Sequence, residues 1–377
     1  MDKVKKTPID IRRSKMKVRN SNIELLRIIA ALGVIILHYN ASSLGGAFGY
    51  VEKRNINDCI LYFLESLNIC AVNIFCIISG FFMAESKKKD ILRVVKLLIQ
   101  MVVFVGILNF AEILIDGRTF EIGAFLYSLI PTGIVWFIII YCALFCLSPY
   151  LNLLFQKVVE KNKQKEFLTA IIVLFSIYPT ILSFIGSLFG EELNGLSTIA
   201  SDGDLAGYSI VNFIMLYYCG CFLQYKEKSN DKKEEKPILY LVAIIMIAAL
   251  ITMIAWVDHL YAFEHVVWEY CNILVVIETV VIFEFFLHLK IKQNKIINSL
   301  AKASLASYLF HYHFLKYMKI NEYVKKSVII MILHVFGCAC LLYLGAYILN
   351  LLYEFLTKGI FGYISRKWVK NRYIDVE

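Results

Sequence analysis

Residues 22–39 read NIELLRIIAALGVIILHY. The ten residues between Arg27 and His38 are all apolar or glycine. As a helix rising 1.5 Å per residue, the run 23–41 covers about 28 Å, the thickness of a bilayer's hydrocarbon core. Nine further runs of similar character lie near 59–84, 91–115, 134–155, 167–188, 209–225, 238–257, 268–289, 297–315 and 328–357. A shorter run, 122–131, ends in Pro131-Thr132-Gly133 and reads as an interfacial or re-entrant piece. The composition agrees. Hydrophobic residues make up 59% of the 377 and charged residues 18%, with mean hydropathy +0.66. Soluble domains sit near about 45–50% and about 25%. The expected fold is therefore all-α, a polytopic membrane protein of about ten transmembrane helices embedded in the lipid bilayer. The apolar runs exclude a disordered chain, and the lack of residue-by-residue alternation excludes a β-barrel.

The net charge of +9 does not point to nucleic acid, because the basic residues cluster between apolar runs. Segments on the side of the N-terminus hold 29 Lys and Arg, and those on the other side hold 7. By the positive-inside rule both termini are cytoplasmic, which an even number of spans requires. The runs Lys87-Lys88-Lys89 and Lys232-Lys233 belong to this pattern. The acidic loop 189–208 has no Lys or Arg and fits the outer side. The layout expected is a basic tail over 1–22, one membrane domain over 23–357 and a second tail over 358–377. Residues 1–20 are basic and polar, with no cleavage site after the first run, unlike a signal peptide. The ten cysteines fall in or beside apolar runs without CxxC or companion histidines, so they read as packing residues and no metal site is expected. There is no Gly-rich phosphate loop, HExxH or GxSxG, which argues against an ATP-driven pump or a serine hydrolase.

Ionisable groups inside spans are costly and mark candidate sites. Ser21 and Glu24 fit a capping box at the start of the first span, and Glu24 is spaced to pair with Arg27. Arg27 and His38 are eleven residues apart, which returns them to one helix face with Ala31 and Val34 between; His38 lies about 16 Å outward. In the second span Glu65, Asn68, Asn73, Cys76, Ser79 and Gly80 fall within an arc of about 140°. In the ninth, Ser304, Ser307, Tyr308 and His311 share a face while His313 points away. Interhelical hydrogen bonding is the competing account of both stripes. Glu112, Glu278, Glu284 and His334 are further candidates without supporting spacing, and His259 and His265 read as solvated.

These residues fall into a recognisable order. The stretch 22–39, with an acidic residue, Leu-Arg and then His38, resembles the opening of the acyltransferase-3 family of bacterial integral-membrane acyltransferases. AVNIFCIISGFFM (71–83) is similar to its Phe-rich Ser-Gly-Phe segment. VWFIIIYCALFCLSPYLN (135–152) resembles its Trp-aromatic helix, and SLASYLFHYHF (304–314) its late Tyr-Leu-x-His segment. The chain departs from the pattern in KKKDILRVVK, where many members are Arg-rich, and at Ser307, where Gly is usual.

The resemblance implies transfer of an acyl group, usually acetyl, from cytoplasmic acyl-CoA to a hydroxyl of an extracytoplasmic glycan. It implies a multi-pass bacterial plasma-membrane enzyme with acyl-CoA as co-substrate and no bound cofactor. His38 is then either the base that takes the hydroxyl proton or a transiently acylated relay. Arg27, with Glu24, Arg93 and Lys96, is placed on the side where the anionic donor enters. Glu65, Asn73, Ser79, Trp136, Tyr308 and His311 are expected to line the pore. A polysaccharide polymerase, a flippase or a transporter is the alternative. Those often carry a large outer loop or paired halves, and the sequence shows neither.

Overall fold

The computed structural model describes residues 20–86, 91–130, 135–190, 207–229, 236–258 and 264–374, with side chains as far as 359 except those of 258, 264 and 265. Residues 1–19, the runs Lys87-Lys88-Lys89 and Lys232-Lys233, most of the acidic loop 189–208, His259 and the side chain of His265 lie outside that set. Among the described residues there are helices and no strand.

The principal helices are α1 (Ser21–Asn40), α2 (Ile56–Asn68), α3 (Ala71–Met83), α4 (Ile91–Ile115), α5 (Trp136–Glu160), α6 (Gln164–Phe189), α7 (Ile210–Lys228), α8 (Pro237–Asp258), α9 (Ile273–His288), α10 (Ser304–Phe314) and α11 (Val328–Ile374). Among the described residues seven spans are long and apolar enough to cross a membrane: α1, the α2–α3 pair, α4, α5, α6, α8 and α11. The protein is a helical membrane protein. The run at 122–131 forms a short helix, Ile122–Ser128. The expected tail beyond 357 continues α11 as helix to Ile374.

Burial sets the arrangement. Two-thirds (67%) of α1 and of the α2–α3 span is buried, against 17% of α4 and of α6. The first two spans therefore form the centre. The outer helices turn large apolar side chains such as Leu114, Leu239, Met246 and Phe355 outward, as a lipid-facing surface does.

Three sequence expectations are corrected. The cap of α1 is Asn20, whose side chain accepts from the Asn22 N–H at 3.1 Å, not Ser21. Asn caps as well as Ser one residue upstream. That frees the Ser21 hydroxyl to donate to Asn298 at 3.0 Å and accept from the Asn294 N–H at 2.8 Å, which ties α1 to the segment leading into α10. The second span is not one helix but two, stepping at Ile69–Cys70. The step divides the polar stripe among several neighbours instead of aiming it at one cavity. The ninth span is likewise assembled from a helical turn at Lys295–Leu300, a 3-10 turn at Ala301–Ala303 and α10.

Proline chemistry is handled locally in α5. Pro149 cannot donate to the carbonyl of Phe145, and the Ser148 hydroxyl donates to that carbonyl instead, at 2.8 Å. One turn on, the Asn152 amide donates to Met83 O at 2.7 Å and to Ser86 O at 3.1 Å, closing the end of α3. Tyr217 of α7 donates to the Asn152 carbonyl oxygen at 2.7 Å.

Candidate active site

α1 presents Arg27, Ala31 and Val34 to a cavity of about 190 Å³. Their spacing of three to four residues is what puts them on one wall. α3 contributes Ser79, α5 contributes Tyr141, and α10 contributes Ser304, Ser307 and Tyr308. Arg27, in the second turn of α1, has 32% of its side chain exposed and its guanidinium 3.5 Å from Glu24. The serine protons are already committed. Ser79 donates to Phe75 O at 2.8 Å, Ser304 to Ala301 O at 2.9 Å and Ser307 to Ser304 O at 2.9 Å. Their oxygens therefore face the cavity as acceptors, and Tyr141 donates to Ser79 at 3.0 Å.

Beyond Ser307 two histidines meet. His311 Nδ1 lies 2.7 Å from Ser307 O, and His38 Nδ1 lies 2.9 Å from Val34 O. A carbonyl can only accept, so each Nδ1 carries its proton. The His311 Nε2 is then a lone pair, and it lies 3.2 Å from the His38 Nδ1–H. The rings are 4.8 Å apart. His38 is left with an unprotonated Nε2, and its Nδ1–H is held by two acceptors. Such an arrangement fixes the ring and stabilises the imidazolium that forms when Nε2 takes a proton.

A family model described as an acyltransferase domain matches residues 20–351 of the 377. The chain belongs to the acyltransferase-3 family. It is a membrane acyltransferase. Among curated proteins and among solved structures nothing matches it.

In this acyltransferase the residues singled out from sequence divide into those that converge and those that do not. Arg27, Ser79 and Tyr308 line one cavity, and His38 and His311 close on each other. Glu65 stands apart from the cavity wall: its Oε2 accepts from the Asn40 amide at 2.9 Å. Asn73 is fully buried and donates to Tyr270 O at 2.8 Å, a helix-to-helix tie. Trp136 stacks in an aromatic cluster with Tyr208 and Tyr270. Arg93 is exposed, 5.7 Å above the Phe145 ring. Lys96 lines a different groove with Gln100 and Glu354. Neither basic residue lines the cavity with Arg27.

His313, which spacing turned away from His311, meets Glu112 of α4 at 2.6 Å. Glu284 pairs with Lys226 at 3.0 Å, and His334 bonds the Tyr39 hydroxyl at 2.9 Å. Glu278 is completely buried. Asn40, Tyr141, Tyr208 and Tyr270 are polar groups of this region that sequence reasoning passed over. Asn40, Tyr141 and Tyr270 are each one of many such residues in an apolar run, Tyr208 closes the acidic loop, and no spacing rule marks any of them.

Proposed function

We propose that this acyltransferase moves an acyl group, acetyl in the first instance, from cytoplasmic acyl-CoA to a hydroxyl of a cell-surface or exported polysaccharide. On this reading it is a bacterial plasma-membrane protein with about ten spans and both termini in the cytoplasm. The observation that carries the reading is the histidine pair beside a cavity that begins at Arg27. Arg27 would hold the anionic end of the donor with its planar fork. A pantetheine arm carries amide N–H groups, and the serine oxygens of the wall are placed to accept from them.

The chemistry then follows from the tautomers. His38 Nε2 takes the proton of the acceptor hydroxyl as its oxygen attacks the thioester carbonyl. The positive charge on His38 is stabilised through Nδ1–H by His311 Nε2 and Val34 O. When the tetrahedral intermediate collapses, the ester stays on the sugar, and the thiolate leaves and recovers the proton from His38 Nε2. A general base of this kind contributes about 10² to 10⁴-fold.

The test is mass spectrometry of the surface glycan from cells with the gene, without it, and with His38→Ala. Loss of about 42 Da per modified repeat in the latter two is expected for a missing acetyl group. An unchanged glycan in all three strains, together with no consumption of acetyl-CoA by purified protein, would remove the reading.

A further inference from the structure

Acyl transfer leaves unused the groove that holds Lys96. It measures about 650 Å³ and shares no lining residue with the cavity of Arg27. Lys96 of α4, Lys302 of the 3-10 turn before α10 and Lys358 of α11 all line it. Among the described residues of its wall Glu354 is the single carboxylate. Glu354 is engaged locally: its Oε2 lies 3.2 Å from Lys302 Nζ, and its Oε1 accepts from the Asn350 amide at 3.4 Å. Asn350 in turn accepts from Gln100 at 3.0 Å, so a polar chain fastens α4 to α11 and sets Lys302 beside them. Three positive charges therefore meet one negative charge in a single opening. Such an excess repels itself and is relieved by an anion. The groove also lies at the edge of the apolar slab. Ser21, the first residue of α1, donates to Asn298 at 3.0 Å, four residues before Lys302. Lys96 is in the second turn of α4, and Lys358 is in the last turn of the apolar span Val328–Gly359. Leu351, Phe355 and Lys358 follow one another at four and three residues, which makes one stripe along α11. Leu351 and Phe355 are exposed, the latter by 78%.

We propose that this groove binds an anionic phospholipid from the leaflet at which α1 begins. Its phosphate sits among Lys96, Lys302 and Lys358, and its acyl chains run along Leu351 and Phe355. The proposal goes beyond the acyl-transfer reading and does not depend on it. A stripe that is cationic at the end of the span and apolar one and two turns deeper matches a molecule with the same division. Lysine side chains lay their stems along apolar surface and keep the ammonium at headgroup level. Basic pockets between helices at this level recognise anionic headgroups. Coenzyme A also carries phosphates, but it has no hydrocarbon to cover Phe355, and its thioester end belongs to the separate cavity. Occupancy has a structural consequence. Leu97 and Ala301, the chain neighbours of Lys96 and Lys302, line the cavity of Arg27. A phosphate bridging the lysines thus braces two segments of that cavity's wall.

The experiment uses the full chain purified into nanodiscs of phosphatidylcholine, with and without phosphatidylglycerol. Lipid that stays bound after transfer to detergent is counted by native mass spectrometry. From an equal mixture, wild type should retain phosphatidylglycerol about tenfold over phosphatidylcholine, since three lysines face the phosphate and each contributes about fivefold before Glu354 is set against them. Retention should fall as salt is raised. The thermal midpoint should be higher in discs that contain phosphatidylglycerol. Replacing Lys302 and Lys358 together by Gln should weaken retention about 25-fold on the same scale. Lys163→Gln, an exposed lysine outside the groove that pairs with Glu166 at 3.6 Å, should retain lipid as wild type does. Equal retention of the two lipids by wild type overturns the proposal, as does retention indifferent to salt. These two measurements need no variant, so they decide the matter even where the double variant does not fold. A loss in Lys163→Gln as large as that in the double variant also overturns it, because the charge of the whole surface would then be at work. Displacement of phosphatidylglycerol by millimolar coenzyme A would give the groove to the donor and overturn the lipid assignment.

Discussion

At the scale of single residues, the two histidines have different tasks, and the difference is measurable. His38 offers the free Nε2, so His38→Ala should lower transfer by about 10² to 10⁴-fold with the protein still inserted. His311 supplies one acceptor to a charge that forms on its neighbour. Hydrogen bonds to charged groups contribute about 1.5–3 kcal/mol, so His311→Ala should lower kcat by about 10 to 10²-fold. Single-turnover transfer by the two purified variants checks both. Equal losses would mean that the pair acts as one unit, and a larger loss at His311 would move the base to α10. Arg27→Ala should act elsewhere, raising the KM for acetyl-CoA with a smaller change in kcat, and Lys should restore it in part because the planar fork is lost. Should Arg27→Ala instead remove the protein from the membrane with donor KM unchanged, its bond to Glu24 would be its main role. The Arg27–His38 stripe was legible because helix rotation alone puts positions eleven apart on one face. The His38–His311 contact was not. Each histidine could be marked as polar in an apolar run, but the 273-residue separation leaves no spacing to read.

At the scale of elements, the α3–α7 crossing is the tightest in the molecule's described packing. A Cβ on Gly80 would lie 2.0 Å from Tyr217 O, and one on Gly220 would lie 2.2 Å from Ile77 O, so each backbone runs against the other. Small residues make such approaches possible in a membrane, where close packing supplies much of the association. Overpacking costs about 1–3 kcal/mol where neighbours can shift, and here the neighbour is backbone. Gly80→Ala should therefore lower the amount of folded protein recovered from membranes and its thermal midpoint in detergent. Gly337→Ala, where an added Cβ meets nothing within 4 Å, serves as the control and should change neither. A Gly80→Ala protein as stable as wild type would show that α3 and α7 slide freely. The glycine in the Ser-Gly-Phe segment and the Ser-Pro and Asn of α5 were all visible as motif residues, yet their positions do structural work. Ser148 repairs the bond lost at Pro149, and Asn152 closes α3. The step between α2 and α3 was hidden because neither Pro nor Gly stands at Ile69–Cys70, and an unbroken apolar run reads as one helix.

At the scale of the whole molecule, the orientation in the bilayer decides which end of the Arg27–His38 stripe meets the donor. The motive is the asymmetry of 29 Lys and Arg against 7 between alternate connecting segments. Charge on short loops sets topology because basic residues resist translocation. A reporter fused after Glu377 should therefore read cytoplasmic. A single cysteine placed in 195–205 should react with a membrane-impermeant maleimide in intact cells. The background is set by replacing Cys59, half-buried in the first turn of α2; Cys146 and Cys340, the exposed cysteines, lie within α5 and α11, where lipid shields them from a polar reagent. The same result places the basic end of α11 inside. That helix runs 47 residues, about 70 Å, which exceeds the bilayer by more than half its length, so its final turns must project from the membrane on one side. Protection of a cysteine at 195–205, with an extracytoplasmic reporter at the C-terminus, would invert the molecule. His38 would then face the cytoplasm and Arg27 the outside. An acyl-CoA donor could not reach a cation there, and the division of the stripe into donor and acceptor ends would fail.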